Sequence, residues 1–348
     1  MQKIRITDIC HATGLSRSTI DRALNGRGNV HPRTARLIQR AIRHLAQPSA
    51  PRPPEAAGPP VDVLYRLGTG MSAQMQQMFT RLKGPDDRLI DLFQMNEESI
   101  LRELRMVCAD RERALVVTVQ DTTRIRQVLT WARKAGKRIV AMISDLERPT
   151  RDHFLGIDNK SAGATAAHLV AQRLGDRPAT VGVIVGDAAF RCHEDREIGF
   201  RTNLREVASK AVVAAEARGE DNPDKTYFAI LKMLEAHPGI GAIYNVGGGN
   251  TGLARALTEA GLARDVLVIT HELTHVSVPL LIEGTLDYAL SQDPEVLLDR
   301  ALQLARAPDP TQAFDGPIDF GIFTRFNLPS YTRHFDLDPM PQPAGCGA

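Results

Sequence analysis

The chain has 348 residues, 43% of them apolar and 24% charged, with a single tryptophan, Trp131. That is the composition of a globular protein large enough for two or three hydrophobic cores. No run of about 18 apolar residues is present to span a membrane, and the opening MQKIRITDIC has no apolar secretory core, so the expected compartment is the cytoplasm. The net charge of +2 hides an asymmetry: residues 1–54 hold ten basic and two acidic side chains, +8, which leaves −6 for the remainder. A small basic head on an acidic body points to a polyanionic partner for the head.

In chain order, residues 7–45 parse into three short helices. Thr7 is a candidate cap for the first, which carries Ile9 and Ala12 and stops at Gly14. Ser16 can cap the second, whose buried stripe is Ile20, Ala23 and Leu24. Residues 25–29, Asn-Gly-Arg-Gly-Asn, form a loop, and Pro32 opens a third helix with Ala35, Ile38, Ile42 and Leu45 at helical spacing. Two helices joined by a tight glycine turn make a helix-turn-helix, whose second helix enters the DNA major groove.

The stretch ITDICHATGLSRSTIDRALNGRGNVHPRTARLIQRAI resembles the DNA-binding head of the LacI/GalR family of transcription regulators. The resemblance implies that Arg17, Ser18 and Arg22 face base edges and that Thr7, Ser16, Thr19, Asn25 and Thr34 hold phosphates. Next comes AQPSAPRPPEAAGPPVD, residues 46–62, with six prolines and no leucine. The family's usual hinge helix, with its groove-wedging leucine, has no counterpart here, and polyproline-II or irregular structure is expected instead.

From residue 61 strands and helices alternate. Strands are expected at 61–67, 89–95, 114–120, 138–144, 180–186, 211–217, 242–246, 265–270 and 286–292, most of them separated by helical patterns. Such alternation means parallel sheets flanked by helices, with ligands beyond the carboxyl ends of the strands. The body resembles the periplasmic-binding-protein-like sensor of the same family, on the markers GIDNKSAG, EDREIGF and LSQDPEVLL.

The fold expectation is therefore a small all-α helix-turn-helix domain followed by an α/β periplasmic-binding-protein-like domain of two Rossmann-like subdomains. The boundaries are 1–46 for the head, 47–60 for the proline-rich linker, 61–335 for the sensor and 336–348 for a tail. The polar residues at strand ends are the ligand candidates: Asp145, Asp158, Arg196, Asn245, His271, Glu272 and Gln292. In the family these positions bind a sugar, with carboxylates accepting from hydroxyls and guanidinium or amide groups donating. Asp158 can instead cap the helix near Ser161, and Arg196 can instead pair with Asp195 or Glu197.

Three motifs suggest other chemistry. His271-Glu272-Leu273-Thr274-His275 matches the zinc-hydrolase pattern H-E-x-x-H, but residues 266–270 read as a buried strand, so the two histidines would not share a helical face. Gly247-Gly248-Gly249 before Asn250 hints at phosphate binding at a helix start, without a Walker lysine. Cys192-His193 lacks a visible third catalytic partner. Cys10, Cys108, Cys192 and Cys346 form no C-x-x-C pair and read as reduced thiols.

The sequence thus points to a DNA-binding transcription regulator, a repressor controlled by a sugar or polyol effector, with or without a phosphate. It would be a homodimer on double-stranded operator DNA, with no enzyme activity, cofactor, metal or membrane partner. The alternative is a solute-binding protein of a sugar transport system; the remote alternative is a zinc hydrolase.

Overall fold

The structure is a computed structural model that describes residues 15–24, 58–307 and 317–335, with the single positions Ile6, Val30, Thr34 and Ile38. The chain divides into two compact units, residues 1–57 and 58–348. Within the first, helix α1 spans Arg17–Leu24 and buries Ile20. Ser16 caps it, its Oγ accepting the Thr19 N–H at 3.3 Å. Ile6, Thr34 and Ile38 are helical, and Ile38 is buried. Arg17 and Ser18 are exposed, and the Arg22 Nε donates to the Ser18 carbonyl at 3.2 Å. Thr7, Asn25, residues 47–57 of the linker and the tail lie outside the described residues.

The second unit is two α/β lobes. The first lobe holds a parallel sheet ordered β2-β1-β3-β4-β5: β1 Val61–Tyr65, β2 Arg88–Asp91, β3 Ala114–Thr118, β4 Ile139–Met142 and β5 His153–Leu155. Helices α2 (Thr69–Leu82), α3 (Glu97–Ala109) and α4 (Thr123–Lys134) connect its first four strands. The second lobe is ordered β11-β10-β9-β8-β6-β7: β6 Ala179–Val185, β7 Ala211–Arg218, β8 Ile240–Asn245, β9 Leu267–His271, β10 Tyr288–Ser291 and β11 Gly321–Phe323. Its helices are α5 (Asn159–Leu174), α6 (Arg191–Val207), α7 (Pro223–Ala236), α8 (Asn250–Glu259) and α9 (Ser277–Glu283). Helix α10, Pro294–Arg306, returns to pack on β1, β3, β4 and β5 of the first lobe. Every strand pair is parallel except β10 with β11.

Strands β1, β3, β4 and β9 are buried along their whole length, the result of apolar residues in nearly unbroken runs with helices on both faces. Asn96, Thr122, Asp158, Asn222 and Asp293 cap α3, α4, α5, α7 and α10 by accepting backbone N–H groups. The chain crosses between the lobes after β5, after β10 and again before β11. The first and third passages touch where the Ile318 N–H donates to the Gly156 carbonyl at 2.8 Å.

Helices α5 and α6 cross at two glycines. A Cβ on Gly163 would collide with the Arg196 carbonyl oxygen, and one on Gly199 with the Lys160 carbonyl oxygen. Backbone thus meets backbone, which sets Arg196 of α6 against Asn159 at the start of α5.

Candidate functional site

Both sheets present their carboxyl ends to one cavity of about 380 Å³, a volume typical of small-molecule sites. Its walls are the loops after β1, β2 and β4 with Thr118 at the end of β3 on one side, and the loops after β6, β7, β8 and β9 on the other. Parallel strands place those loops together by construction. Phe93 and Phe190, one from each lobe, line it with apolar surface.

Backbone strain is concentrated there. Gln94, Ile143, Glu220, Asp221 and Glu272 are the non-glycine residues with positive φ among the described residues, and all five line the cleft. Each immediately or closely follows a strand. An L-residue, above all β-branched Ile143 at φ 68°, holds that conformation only where its surroundings impose it, and such positions cluster at binding sites.

The charges in the cleft are matched in pairs. Arg196 is 3% exposed, and its guanidinium donates to Asn159 Oδ1 at 2.8 Å, the Val246 carbonyl at 3.0 Å and Glu272 Oε1 at 3.2 Å. Arg66 faces Asp187 at 3.6 Å, His193 faces Asp221 at 3.9 Å, and Lys225 pairs with Glu220. Burial pushes the Glu272 carboxyl up, against the pull of Arg196, Ser291 and Gln292.

His271 is held neutral, because burial and the nearby Arg196 and His193 charges press its pKa well below 6.5. Its Nε2 lies 2.7 Å from the Tyr244 hydroxyl, while Nδ1 is buried with no partner. The simplest arrangement has Tyr244 donating to Nε2, which leaves the proton on Nδ1. A depressed histidine pKa means the native state takes up fewer protons than the unfolded chain, so stability falls as pH drops below 6.5. Relative to His271→Gln, the wild type should lose up to about 1.4 kcal/mol per pH unit in that window. Urea titrations of both proteins through the window check this; parallel stability curves would show that His271 titrates normally.

The glycine loop 247–249 leads into α8, with Gly249 at φ 80°. The chain supplies its own anion to this loop: Asp221 Oδ1 accepts the Gly248 N–H at 2.6 Å. Asn245 braces the loop from behind, its amide donating to the Gly248 carbonyl at 2.9 Å and to Asn250 Oδ1 at 2.8 Å.

Of the residues singled out in the sequence, Arg196, His271 and Glu272 come together in the cleft wall. Gln292 stands behind Glu272, donating to its Oε1 at 3.4 Å, with its own Oε1 buried and unpartnered. Asn245 shapes the glycine loop. Asp145 and Asp158 are not among the lining residues. Asp145 is engaged by the Arg151 guanidinium, whose Nη2 donates to Oδ2 at 2.7 Å, and Asp158 caps α5 by accepting the Ser161 N–H at 3.0 Å. Asp187 and Asp221 were missed because they lie in loops without a motif. The H-E-x-x-H residues fall where no zinc-hydrolase geometry can form. His271 ends β9, Glu272 is left-handed, His275 is exposed, and α9 begins only at Ser277.

A model of the family described as periplasmic binding protein domain matches residues 106–307. No curated protein matches. Among solved structures, an ABC transporter solute-binding protein from Burkholderia graminis in complex with D-arabinose is 16% identical, with a TM-score of 0.71 over 80% of this chain and 99% of that one. A second, from Bacillus halodurans with bound myo-inositol, is 19% identical, with a TM-score of 0.67 over 79% of this chain and 98% of that one. A third, from Actinobacillus succinogenes with bound D-allose, is 18% identical, with a TM-score of 0.64 over 77% and 98%.

At these identities the structures establish the fold of the body. The family match reaches no part of the basic head. The expectation of a DNA-binding transcription regulator is corrected by these comparisons: the three similar structures are solute-binding proteins of ABC transporters with sugars or a polyol bound, the alternative weighed from the sequence. No helix among the described residues is long and apolar enough to cross a membrane.

Proposed function

Because the chain belongs to the periplasmic binding protein domain family, we propose that it is a non-enzymatic receptor for a small, neutral, polyhydroxylated solute. The solute, a sugar or polyol, lies between the two lobes, and the protein acts as the solute-binding component of a sugar transport system. The charge balance of the cleft carries this reading. Its four cationic side chains each face an anionic one, so a net-charged ligand would leave a buried charge uncompensated. Hydroxyl groups, which both donate and accept, suit such a wall: Glu272 accepts, while Arg196 donates. Phe93 and Phe190 offer apolar surface to the C–H faces of a ring.

A phosphate ester fits poorly, since the Asp221 carboxylate already occupies the glycine loop. The solutes bound by the similar structures, D-arabinose, D-allose and myo-inositol, are all uncharged. A transport receptor works on the periplasmic side, in place of the cytoplasmic location expected from the N-terminus. It requires neither operator DNA nor a second copy of the chain, and it gives the basic charge of residues 1–54 no role.

A thermal-shift screen of neutral aldoses, ketoses and polyols beside their phosphate esters tests the reading. At least one neutral solute should raise the unfolding midpoint, by the free energy of binding to the native state alone, and its phosphate ester should not. Stabilisation by phosphate esters only would overturn the assignment.

A further inference from the structure

The two lobes also touch each other directly, through a short segment of the second. Residues 187–192 run from the end of β6 into α6, and they meet the loops after β1, β3 and β4 of the first lobe. The Asp187 carboxylate accepts from the Gln120 amide and faces the Arg66 guanidinium at 3.6 Å. The Asp121 N–H donates to the Ala189 carbonyl at 2.8 Å. Arg191 Nη1 lies 3.7 Å from Asp121 Oδ2, and the Cys192 N–H donates to Ser144 Oγ at 3.3 Å.

Each side of this junction is braced by its own lobe. Asp187 Oδ1 accepts the Ala189 N–H at 3.0 Å, and the Asp187 carbonyl accepts the Phe190 N–H at 3.0 Å, so the segment folds back on itself before α6. Across the gap Arg126 holds Asp121, donating to Oδ1 at 2.8 Å and to Oδ2 at 3.0 Å. Ser144 is 1% exposed and accepts from an N–H in the first turn of α6, a group that no carbonyl of its own helix can satisfy. The start of α6 is therefore completed by the opposite lobe.

We propose that residues 187–192 are a latch between the lobes and that Asp187 is its positioning residue, reached from the first lobe by Gln120 and Arg66. A charge-assisted hydrogen bond and an ion pair converge on that one carboxylate, so its loss weakens the junction more than the loss of any other single group. The latch sets how much of the protein holds its two cleft walls at binding distance. Only that fraction offers a solute both walls at once, and apparent affinity scales with it. The assignment does not depend on which solute the cleft takes, or on whether that solute is a sugar.

The test uses the full chain at neutral pH with no solute added, and amide hydrogen exchange read residue by residue. Gln120→Glu sets a second carboxylate against Asp187 without altering residues 187–192. Exchange at Asp121 and Cys192 should then rise about tenfold or more, while Leu115 and Val246, whose N–H groups are bonded within one lobe, keep their wild-type rates. The rise at Cys192 is decisive, because its acceptor Ser144 and the altered residue lie on separate loops. Adding Asp187→Asn to Gln120→Glu restores an amide–carboxylate pair with donor and acceptor exchanged, and should reverse most of the increase. Gln120→Ala, which only deletes the donor, should give a smaller rise and serves if the glutamate variant does not fold. Unchanged exchange at Asp121 and Cys192, an equal rise at all four amides, or no reversal in the double variant overturns the proposal.

Discussion

Replacing Arg196 with alanine should cost about 3–5 kcal/mol of stability and abolish solute binding together. Three groups depend on the guanidinium: Asn159 Oδ1, the Val246 carbonyl and the Glu272 carboxylate. Removing it strands a buried carboxylate whose pKa is already pushed up by burial, so Glu272 would take up a proton at a higher pH still. Arg196→Lys keeps the charge but reaches fewer of the three acceptors, and should fall between the wild type and alanine in both properties. Chemical denaturation gives the first readout, and the midpoint shift caused by the screened solute gives the second. Wild-type stability in the alanine variant would mean that the three hydrogen bonds are dispensable.

Gly163→Ala should have an effect of similar size from outside the cleft. The added methyl would collide with the Arg196 carbonyl oxygen, a backbone atom that no side-chain rotation can move away. Helices α5 and α6 must separate, and the hydrogen bond from Arg196 to Asn159 spans that same crossing. Overpacking usually costs about 1–3 kcal/mol, and a clash of backbone with methyl belongs at or above the top of that range. Affinity should fall along with stability because the arginine is displaced. Gly136→Ala supplies the contrast: nothing lies within 4 Å of its would-be Cβ, and its cost comes only from its φ of 93°. If the two variants unfold at the same denaturant concentration, the helix crossing is looser than the structure shows.

The alternating strands and helices of the body were legible because a parallel strand covered on both faces must be largely apolar throughout. Nine strands could be read, although β2 and β7, at sheet edges with exposed positions, are not covered in that way. The two that could not, β5 and β11, are three residues long at sheet edges, too short for any period to register. The candidate site was partly legible for a related reason. Arg196, His271 and Glu272 are polar residues where apolar runs end or a helix begins, yet Asp145 and Asp158 share that description. What separates them is local pairing, with Arg151 in one case and with Ser161 in the other. Asp158 and Ser161 stand three apart, as a helix cap requires, so that distinction was within reach of the sequence. Positive φ at Gln94, Ile143, Glu220, Asp221 and Glu272 was not, because no glycine marks those positions. Gly163 and Gly199 stood in plain view inside GIDNKSAG and EDREIGF, but only the packed helices show what they permit.

Calorimetric titration of the best neutral solute into the wild type, Glu272→Gln and Phe190→Ala tests most directly whether the cleft is the binding site. The wild type should bind one solute per chain. Each variant should bind at least about tenfold more weakly, as follows from weakening one hydrogen bond to a charged group or stripping one aromatic face from the solute ring. Equal affinity in all three proteins, or a stoichiometry that ignores the cleft, would contradict the account.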